Sequence, residues 1–221
     1  MAEVTAAMVK ALRERTGAGM MDCKRALVES DGDMDKAEDW LRAKGFSRAA
    51  AKAGRSTNEG MVDAYIHHAG GIAKQGALIE IDCESDFVAK TDDFKHLAHT
   101  LALQVVGMAP QYVRREDVPA DIVERERAVY REQVQGKPEN IVEKILTGKL
   151  DAFYAQVCLL EQPWIKDDKK KVGDLVTEAI AKLGENISVA RFARFAVLQQ
   201  TDCVIGAGRQ AAQGAAHGFR R

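Results

Sequence analysis

The spacing of apolar residues changes near residue 60, and this change constrains the fold more than any other feature of the chain. Before it, residues 4–45 carry apolar side chains every three or four positions, which is typical of helices that bury one face. After it, residues 61–68 and 77–83 are strand-like and are joined by a turn at Gly70-Gly71. Helices followed by paired strands predict an α+β fold, with an antiparallel sheet that helices cover.

The first 54 residues predict a separate bundle of three short helices. These helices are predicted at residues 4–15, 21–29 and 34–45, with a further helical piece at 47–54. Thr5 is a suitable N-cap for the first helix, and Gly17 and Gly19 interrupt the chain before the second. Because the bundle has few apolar residues, we expect a small core of modest stability. Residues 55–60 are the predicted linker.

Residues 55–200 predict a second domain that contains the sheet. Helices are predicted at residues 92–108, 120–135, 139–154 and 172–183, and the last strand at 188–198. The short break Gly136-Lys137-Pro138 predicts an antiparallel helical hairpin at about 120–154. The charged run 166–171 is predicted to be a solvated loop. The tail, residues 201–221, is rich in Gly, Ala and Gln and is predicted to be disordered.

Composition restricts the classes of protein to which the chain can belong. Its 221 residues are 46% hydrophobic and 29% charged, as in ordinary globular proteins. The net charge of −1 argues against nucleic acid or an anionic membrane as the main partner. No window of about 18 apolar residues could span a bilayer, and no export signal precedes the first helix. Four irregularly spaced cysteines indicate reduced thiols, so we expect a cytoplasmic protein.

Metal and catalytic motifs in the sequence are all explained better by structural roles. Asp31 to Asp35 resembles the start of a calcium loop, but Lys36 and Arg42 occupy its sixth and twelfth positions. His67 and His68 are adjacent on a strand and therefore point to opposite faces.

Three further candidates for metal, nucleotide or catalytic sites also lack the residues that such sites require. His96 and His99 share a helix face without further visible ligands. The glycine turn at 204–208 lacks the length that dinucleotide binding requires. Cys23 and Cys83 have no visible His/Asp partners, so we expect buried structural thiols. We therefore predict no catalytic site, no metal and no cofactor.

Two segments are candidates for contacts with a partner. Met20 and Met21 follow a Gly-Ala-Gly turn, and adjacent helix positions point about 100° apart, so at least one side chain is expected to be exposed. Methionine is frequent at binding surfaces. Asp86 and Phe87 stand where a strand leads into a helix, and such loops often carry function.

The residues alone favour a structural role for both segments. In that alternative, the two methionines fill gaps in the core, Phe87 folds back into the core, and Asp86 caps the next helix.

Residues 12–24 and 85–90 resemble two highly specific segments of the bacterial elongation factor Ts family. The first contains the run Thr-Gly-Ala-Gly-Met-Met-Asp-Cys-Lys, and the second is Ser-Asp-Phe-Val-Ala-Lys. Shorter matches lie at residues 116–118, 136–138, 162–164 and 184–187. The resemblance covers about residues 1–198, and the tail beyond has no recognised counterpart.

This resemblance implies a fold and a function. Residues 1–54 are similar to the family's ubiquitin-associated-type domain, and the rest to its core, with a protruding helical hairpin. Members of the family are guanine-nucleotide exchange factors for elongation factor Tu and are not enzymes. By motif match, the implied contacts with elongation factor Tu are Arg13, Met20, Met21, Lys24, Ser85, Asp86, Phe87 and Val88. Asp86 and Phe87 are expected to act on the magnesium side of the partner's nucleotide site.

The resemblance also bears on assembly. The chain carries one ββα…αβ core unit, whereas long family members carry two and short members can pair two chains. We therefore expect a homodimer that binds the partner in a two-to-two complex. Two alternatives remain open: a binding module for ubiquitin-like surfaces without exchange activity, and a small enzyme with Cys or His chemistry.

Overall fold

The computed structural model describes residues 4–134, 138–197 and 204–207 of the chain. The N-terminal bundle consists of α1 (Ala6–Thr16), α2 (Met20–Glu29) and α3 (Met34–Lys52). The Thr5 side chain caps α1 by accepting a hydrogen bond from the Met8 backbone N–H, as predicted. Gly17 ends the helix in the left-handed region at φ 68°, a conformation that glycine adopts without strain.

The second part of the chain forms the sheet and the helices that cover it. Its strands are β1 (Glu59–Ala69), β2 (Ile72–Cys83), β3 (Pro163–Trp164), β4 (Asp167–Lys171), β5 (Ile187–Ala196) and β6 (Val204–Ala207). Its α-helices are α4 (Asp86–Ala89), α5 (Asp92–Met108), α6 (Ala120–Glu132), α7 (Glu139–Val157) and α8 (Val172–Leu183). Helices and an antiparallel sheet together confirm the predicted α+β class. None of the described helices is long and apolar enough to cross a membrane.

The main sheet has the strand order β1-β2-β5-β6, and every pair is antiparallel. Ile79 and Ile81 of β2 point inward, where α5 packs against the sheet. Phe94, at the start of α5, is fully buried in the same core. The predicted strand pair and its Gly70-Gly71 turn are therefore confirmed.

The third helix differs from its prediction. We expected it to end near Gly45, with a separate helical piece at 47–54, but α3 runs without interruption from Met34 to Lys52. Helix α8 packs against α3, and a Cβ added at Gly45 would lie 3.3 Å from the Ala181 Cβ. The glycine therefore allows two helices to approach closely and does not terminate one.

Two segments predicted to lack regular structure contain short strands. The charged run 166–171 is largely β4, which pairs with β3, so its prediction as a loop is wrong. Lys170 and Lys171 are neutralised there by Glu178 and Glu161, at 2.8 and 3.0 Å. In the tail that we expected to be disordered, Val204–Ala207 form β6 because β5 offers an unpaired backbone edge. The other residues of that tail lie outside the described residues.

The predicted helical hairpin is confirmed as α6 packed against α7. Its distal half has its own apolar cluster, formed by Tyr130, Val134, Val142, Ile145 and Leu146. All of these side chains belong to the hairpin or to its connection, so this half packs on itself. A second cluster around Val118, Val157 and Cys158 joins the base of the hairpin to the rest of the domain.

Candidate functional site

The segment that contains Asp86 and Phe87 is a single helical turn, α4, at the end of β2. Ser85 has extended backbone dihedrals, and its hydroxyl accepts a hydrogen bond from the Val88 backbone N–H at 3.5 Å. The hydroxyl of Thr91 caps the next helix, α5. Serine and threonine are therefore the caps, and the alternative that Asp86 caps the next helix is wrong.

A carboxylate from a distant part of the sequence holds this turn in place. Glu185, between α8 and β5, accepts hydrogen bonds from the backbone N–H and the hydroxyl of Ser85, at 3.0 and 2.6 Å. In the reverse direction, Glu84 accepts a hydrogen bond from the backbone N–H of Asn186 at 2.6 Å. These reciprocal bonds fix the position of α4 relative to the sheet, because hydrogen bonds to a charged acceptor are the stronger kind.

Phe87 and Val88 are adjacent on the same turn but differ sharply in burial. Val88 is only 8% exposed and packs into the main core, so it anchors α4. Phe87 is 81% exposed, and the alternative that it folds into the core is wrong. A phenyl ring held in water by a fixed turn is an exposed apolar surface that a partner can cover, and its complete burial would contribute about 1.5–3 kcal/mol.

Asp86 precedes Phe87 on the same turn, and its side chain is half-exposed. Lys90, one turn later, donates a hydrogen bond to Asp86 at 2.6 Å. This hydrogen bond, together with the positive charge of Lys90, lowers the pKa of Asp86. The side chain is therefore an anion at neutral pH and presents a hydrogen-bond acceptor next to Phe87.

The second candidate surface lies at the start of α2. Met20 and Met21 are 55% and 71% exposed, so the alternative in which both fill gaps in the core is wrong. Lys24 follows one turn later and is also exposed, and Arg13 is exposed on α1. The buried side of α2 is formed instead by Cys23, Ala26 and Leu27.

The structure thus divides the sequence-predicted contact residues between two surfaces. Ser85, Asp86 and Phe87 lie on α4 and its cap, whereas Met20, Met21 and Lys24 belong to α2, with Arg13 on α1. Val88, which was also predicted as a contact, is buried and supports α4 from within the core. Neither Glu185 nor Lys90 was assigned a role from the sequence. Glu185 lies in the segment 184–187, which was part of the family resemblance. The resemblance marked this segment but did not indicate its contact with Ser85, which is 100 residues away.

No metal cluster is found among the residues that the structure describes, since no three His, Cys, Asp or Glu side chains there could hold an ion together. His99 is instead 3.2 Å from the Asp63 carboxylate. The described cysteines, Cys23, Cys83 and Cys158, are all free and buried. Burial raises the pKa of each thiol, that of Cys158 to about 12.

These thiols are expected to be inert in the folded protein. A thiol must ionise to react, and a raised pKa keeps it protonated at mildly alkaline pH. In a Cys203→Ser variant, which removes the fourth thiol, we expect no reaction with Ellman's reagent before unfolding. All three thiols should react in denaturant. Rapid reaction in the native state would contradict the burial of these side chains.

Comparison with known proteins gives consistent matches over almost the whole chain. The family model described as "Elongation factor TS" matches residues 46–197, and "Elongation factor Ts, mitochondrial, N-terminal" matches residues 1–50. Elongation factor Ts from Thermotoga sp. (strain RQ2) is 56% identical over 195 residues, which is 88% of this chain and 96% of that protein. The protein of the same name from Carboxydothermus hydrogenoformans is 58% identical over 194 residues, 87% of this chain and 88% of the relative.

Proposed function

The chain belongs to the elongation factor Ts family, and from this premise we propose that it binds GDP-bound elongation factor Tu and accelerates GDP release. The observation that carries this proposal is Phe87, an exposed phenyl ring on a turn that Ser85 and Glu185 hold in place. Because the backbone that carries the ring is already ordered, insertion of the ring between structural elements of a partner costs less conformational entropy than it would from a flexible loop.

The proposed mechanism requires no covalent step. GDP and its magnesium ion are held by many charge-assisted contacts, so a displacement of the metal and of the phosphate loop weakens several of them together. Phe87 acts as the apolar wedge. The anionic Asp86, on the same turn, would face the magnesium side of the partner's nucleotide site. By linkage, a factor that weakens nucleotide binding is itself released when GTP binds.

The first experiment measures release of a fluorescent GDP analogue from elongation factor Tu. We expect the full-length protein to accelerate release at catalytic concentrations, because each molecule leaves when nucleotide rebinds. Unchanged release would refute the exchange function. The same experiment distinguishes the two alternative functions. A binding module without exchange activity would not accelerate release, and an enzyme would alter the nucleotide chemically.

In this proposal, Arg13, Met20, Met21 and Lys24 hold the partner while α4 acts on its nucleotide site. Replacing Met20 and Met21 together by alanine is expected to raise the half-saturating concentration about 10- to 100-fold. The maximal rate should change little, because the wedge remains intact.

Met108→Ala is the matched control, since Met108 is also exposed but lies at the end of α5. It should leave both parameters near their wild-type values. Equal effects of the control and of the double variant would contradict a specific docking role for Met20 and Met21.

We also propose that two chains pair through the outer face of the sheet. This face carries the exposed apolar side chains of Val62, Ile66, Leu78 and Phe195. On the same face, Arg191 forms an ion pair with Glu80, which reduces the net charge that would be buried between two copies related by a two-fold axis. The single core unit of the chain supports the same pairing.

Light scattering at micromolar concentration tests the dimer. We expect twice the 24.2 kDa mass of one chain and a monomer for Leu78→Lys, because the new charge would lie at the centre of the apolar face. Val129→Lys is the control, since Val129 is an exposed apolar residue on the hairpin and should leave the dimer intact. A monomeric wild-type protein would refute the pairing.

A further inference from the structure

The helical hairpin joins the rest of the domain through a narrow base. Here the backbone N–H of Tyr112 donates to the Val157 carbonyl at 3.0 Å, and that of Leu159 donates to the Tyr112 carbonyl at 2.8 Å. The apolar cluster around Val118 completes the attachment. Beyond this base the hairpin packs on itself, so its direction depends on a few contacts.

Arg115 contacts three side chains at this base. Its guanidinium donates two hydrogen bonds to the Glu161 carboxylate, at 2.8 and 2.9 Å. A third hydrogen bond, at 2.8 Å, reaches Asp151 on α7, and the guanidinium carbon lies 4.8 Å from the ring centre of Tyr154 on the same helix. One planar cation therefore ties α7 to the segment that follows it, in a geometry that a lysine ammonium cannot reproduce.

The charges of this group are balanced. Lys171 of β4 adds a second cation, 3.0 Å from the same Glu161 carboxylate. Hydrogen bonding from Arg115 is the main cause that lowers the pKa of Glu161, which is therefore an anion at neutral pH. Two cations face the carboxylates of Glu161 and Asp151, and the half-buried pair of Arg115 and Glu161 is screened less by salt than a fully exposed pair.

A small rotation at this base is amplified along the hairpin. Helix α7 extends about 18 Å from Asp151 back to Glu139, at 1.5 Å per residue. A rotation of roughly 10° about the base would therefore move the far end of α7 by about 3 Å, which is enough to misplace a contact surface.

We propose that Arg115 is a positioning residue that fixes the angle between α7 and the core and thereby orients the hairpin for binding of elongation factor Tu. This inference rests on the proposed function for its consequence but not for its geometry. Arg115 belongs to neither α4 nor α2, and the partners of its side chain lie at the base of the hairpin. Its loss should therefore affect the strength of binding and leave the nucleotide-releasing step unchanged.

The geometric part is tested on the isolated full-length protein by distance measurements between two spin labels. The labels are attached at Lys95→Cys on α5 and Lys144→Cys on α7, both exposed positions, in the Cys203→Ser background. The labelled protein is mixed with an excess of unlabelled protein, so that label pairs within one chain dominate even in a dimer. We expect a narrow distance distribution that broadens in Arg115→Ala. Arg127→Ala is the control, because its partner Glu143, at 3.3 Å, also lies in the hairpin. An unchanged distribution in Arg115→Ala would overturn the proposal.

The functional part is tested by GDP release from elongation factor Tu with the same Arg115 variants, without labels. If a loosened hairpin is correctly oriented in about a tenth of the molecules, the half-saturating concentration rises about tenfold. The maximal rate should stay at the wild-type value, and Arg115→Lys should recover part of the loss.

Two other results would count against the inference. A lowered maximal rate, or an unchanged half-saturating concentration despite broadened distances, would overturn the role in partner binding. Inactivity of the wild-type protein would refute the proposed function instead, and the distances would still decide whether Arg115 fixes the hairpin.

Discussion

Replacing Phe87 by alanine is expected to remove most of the acceleration of GDP release and to leave the fold intact. The ring is 81% exposed, so its removal creates no cavity and removes little packing from the free protein. In the complex, its burial would contribute about 1.5–3 kcal/mol, which corresponds to a loss of about 10- to 150-fold in exchange efficiency. The measurement is the rate of fluorescent GDP release against factor concentration.

The maximal rate is the informative parameter for this variant. A ring that acts as a wedge contributes when the nucleotide site opens, so Phe87→Ala should lower the maximal rate more than it raises the half-saturating concentration. Phe46→Ala is the matched control, because Phe46 is a partly exposed phenylalanine on α3. If Phe87→Ala accelerated GDP release as much as the wild-type protein, the exposed Phe87 ring would no longer support the proposed function.

Replacing Phe94 by alanine is expected to cause a large loss of stability, whereas Phe87→Ala should leave the fold intact. Phe94 is fully buried in the main core, at the first turn of α5. Removal of a buried phenyl ring typically costs about 3–5 kcal/mol, because the lost contacts and the residual cavity add. This is a large fraction of the total stability of about 5–15 kcal/mol that is usual for a domain.

Urea denaturation followed by circular dichroism measures this loss as a lower midpoint. Lys95→Ala is the control, since this neighbouring side chain is exposed and its replacement should change stability by less than about 0.5 kcal/mol. A midpoint for Phe94→Ala equal to that of the control would contradict the placement of α5 against the sheet.

The regular elements were predictable where local chemistry determines them. The hydroxyl of Thr5 begins α1, and Gly70-Gly71 forms the turn between two strands, because both effects involve only neighbouring residues. Gly45 was misinterpreted for the opposite reason. A glycine often marks the end of a helix, but here its missing side chain accommodates Ala181, a contact that the local pattern does not contain.

The candidate site was predictable only in part. Periodicity could not decide whether Met21 or Phe87 faces water, since both are apolar residues at the start of a helix. The family resemblance pointed to both residues, and the structure exposes them. The support from Glu185 could not be predicted, because a side-chain contact across 100 residues depends on the completed fold.

The same contact has a consequence for synthesis. The carboxylate of Glu185 can reach Ser85 only after the ribosome has added the 100 residues that separate them. Strand β2 likewise cannot pair with β5 until β5 has been synthesised. Contacts with such large sequence separation form late and slowly. We therefore expect a nascent chain that ends before Glu185 to present Phe87 on an unsupported turn, and the proposed wedge to be ordered only after Glu185 has been added and has folded into place.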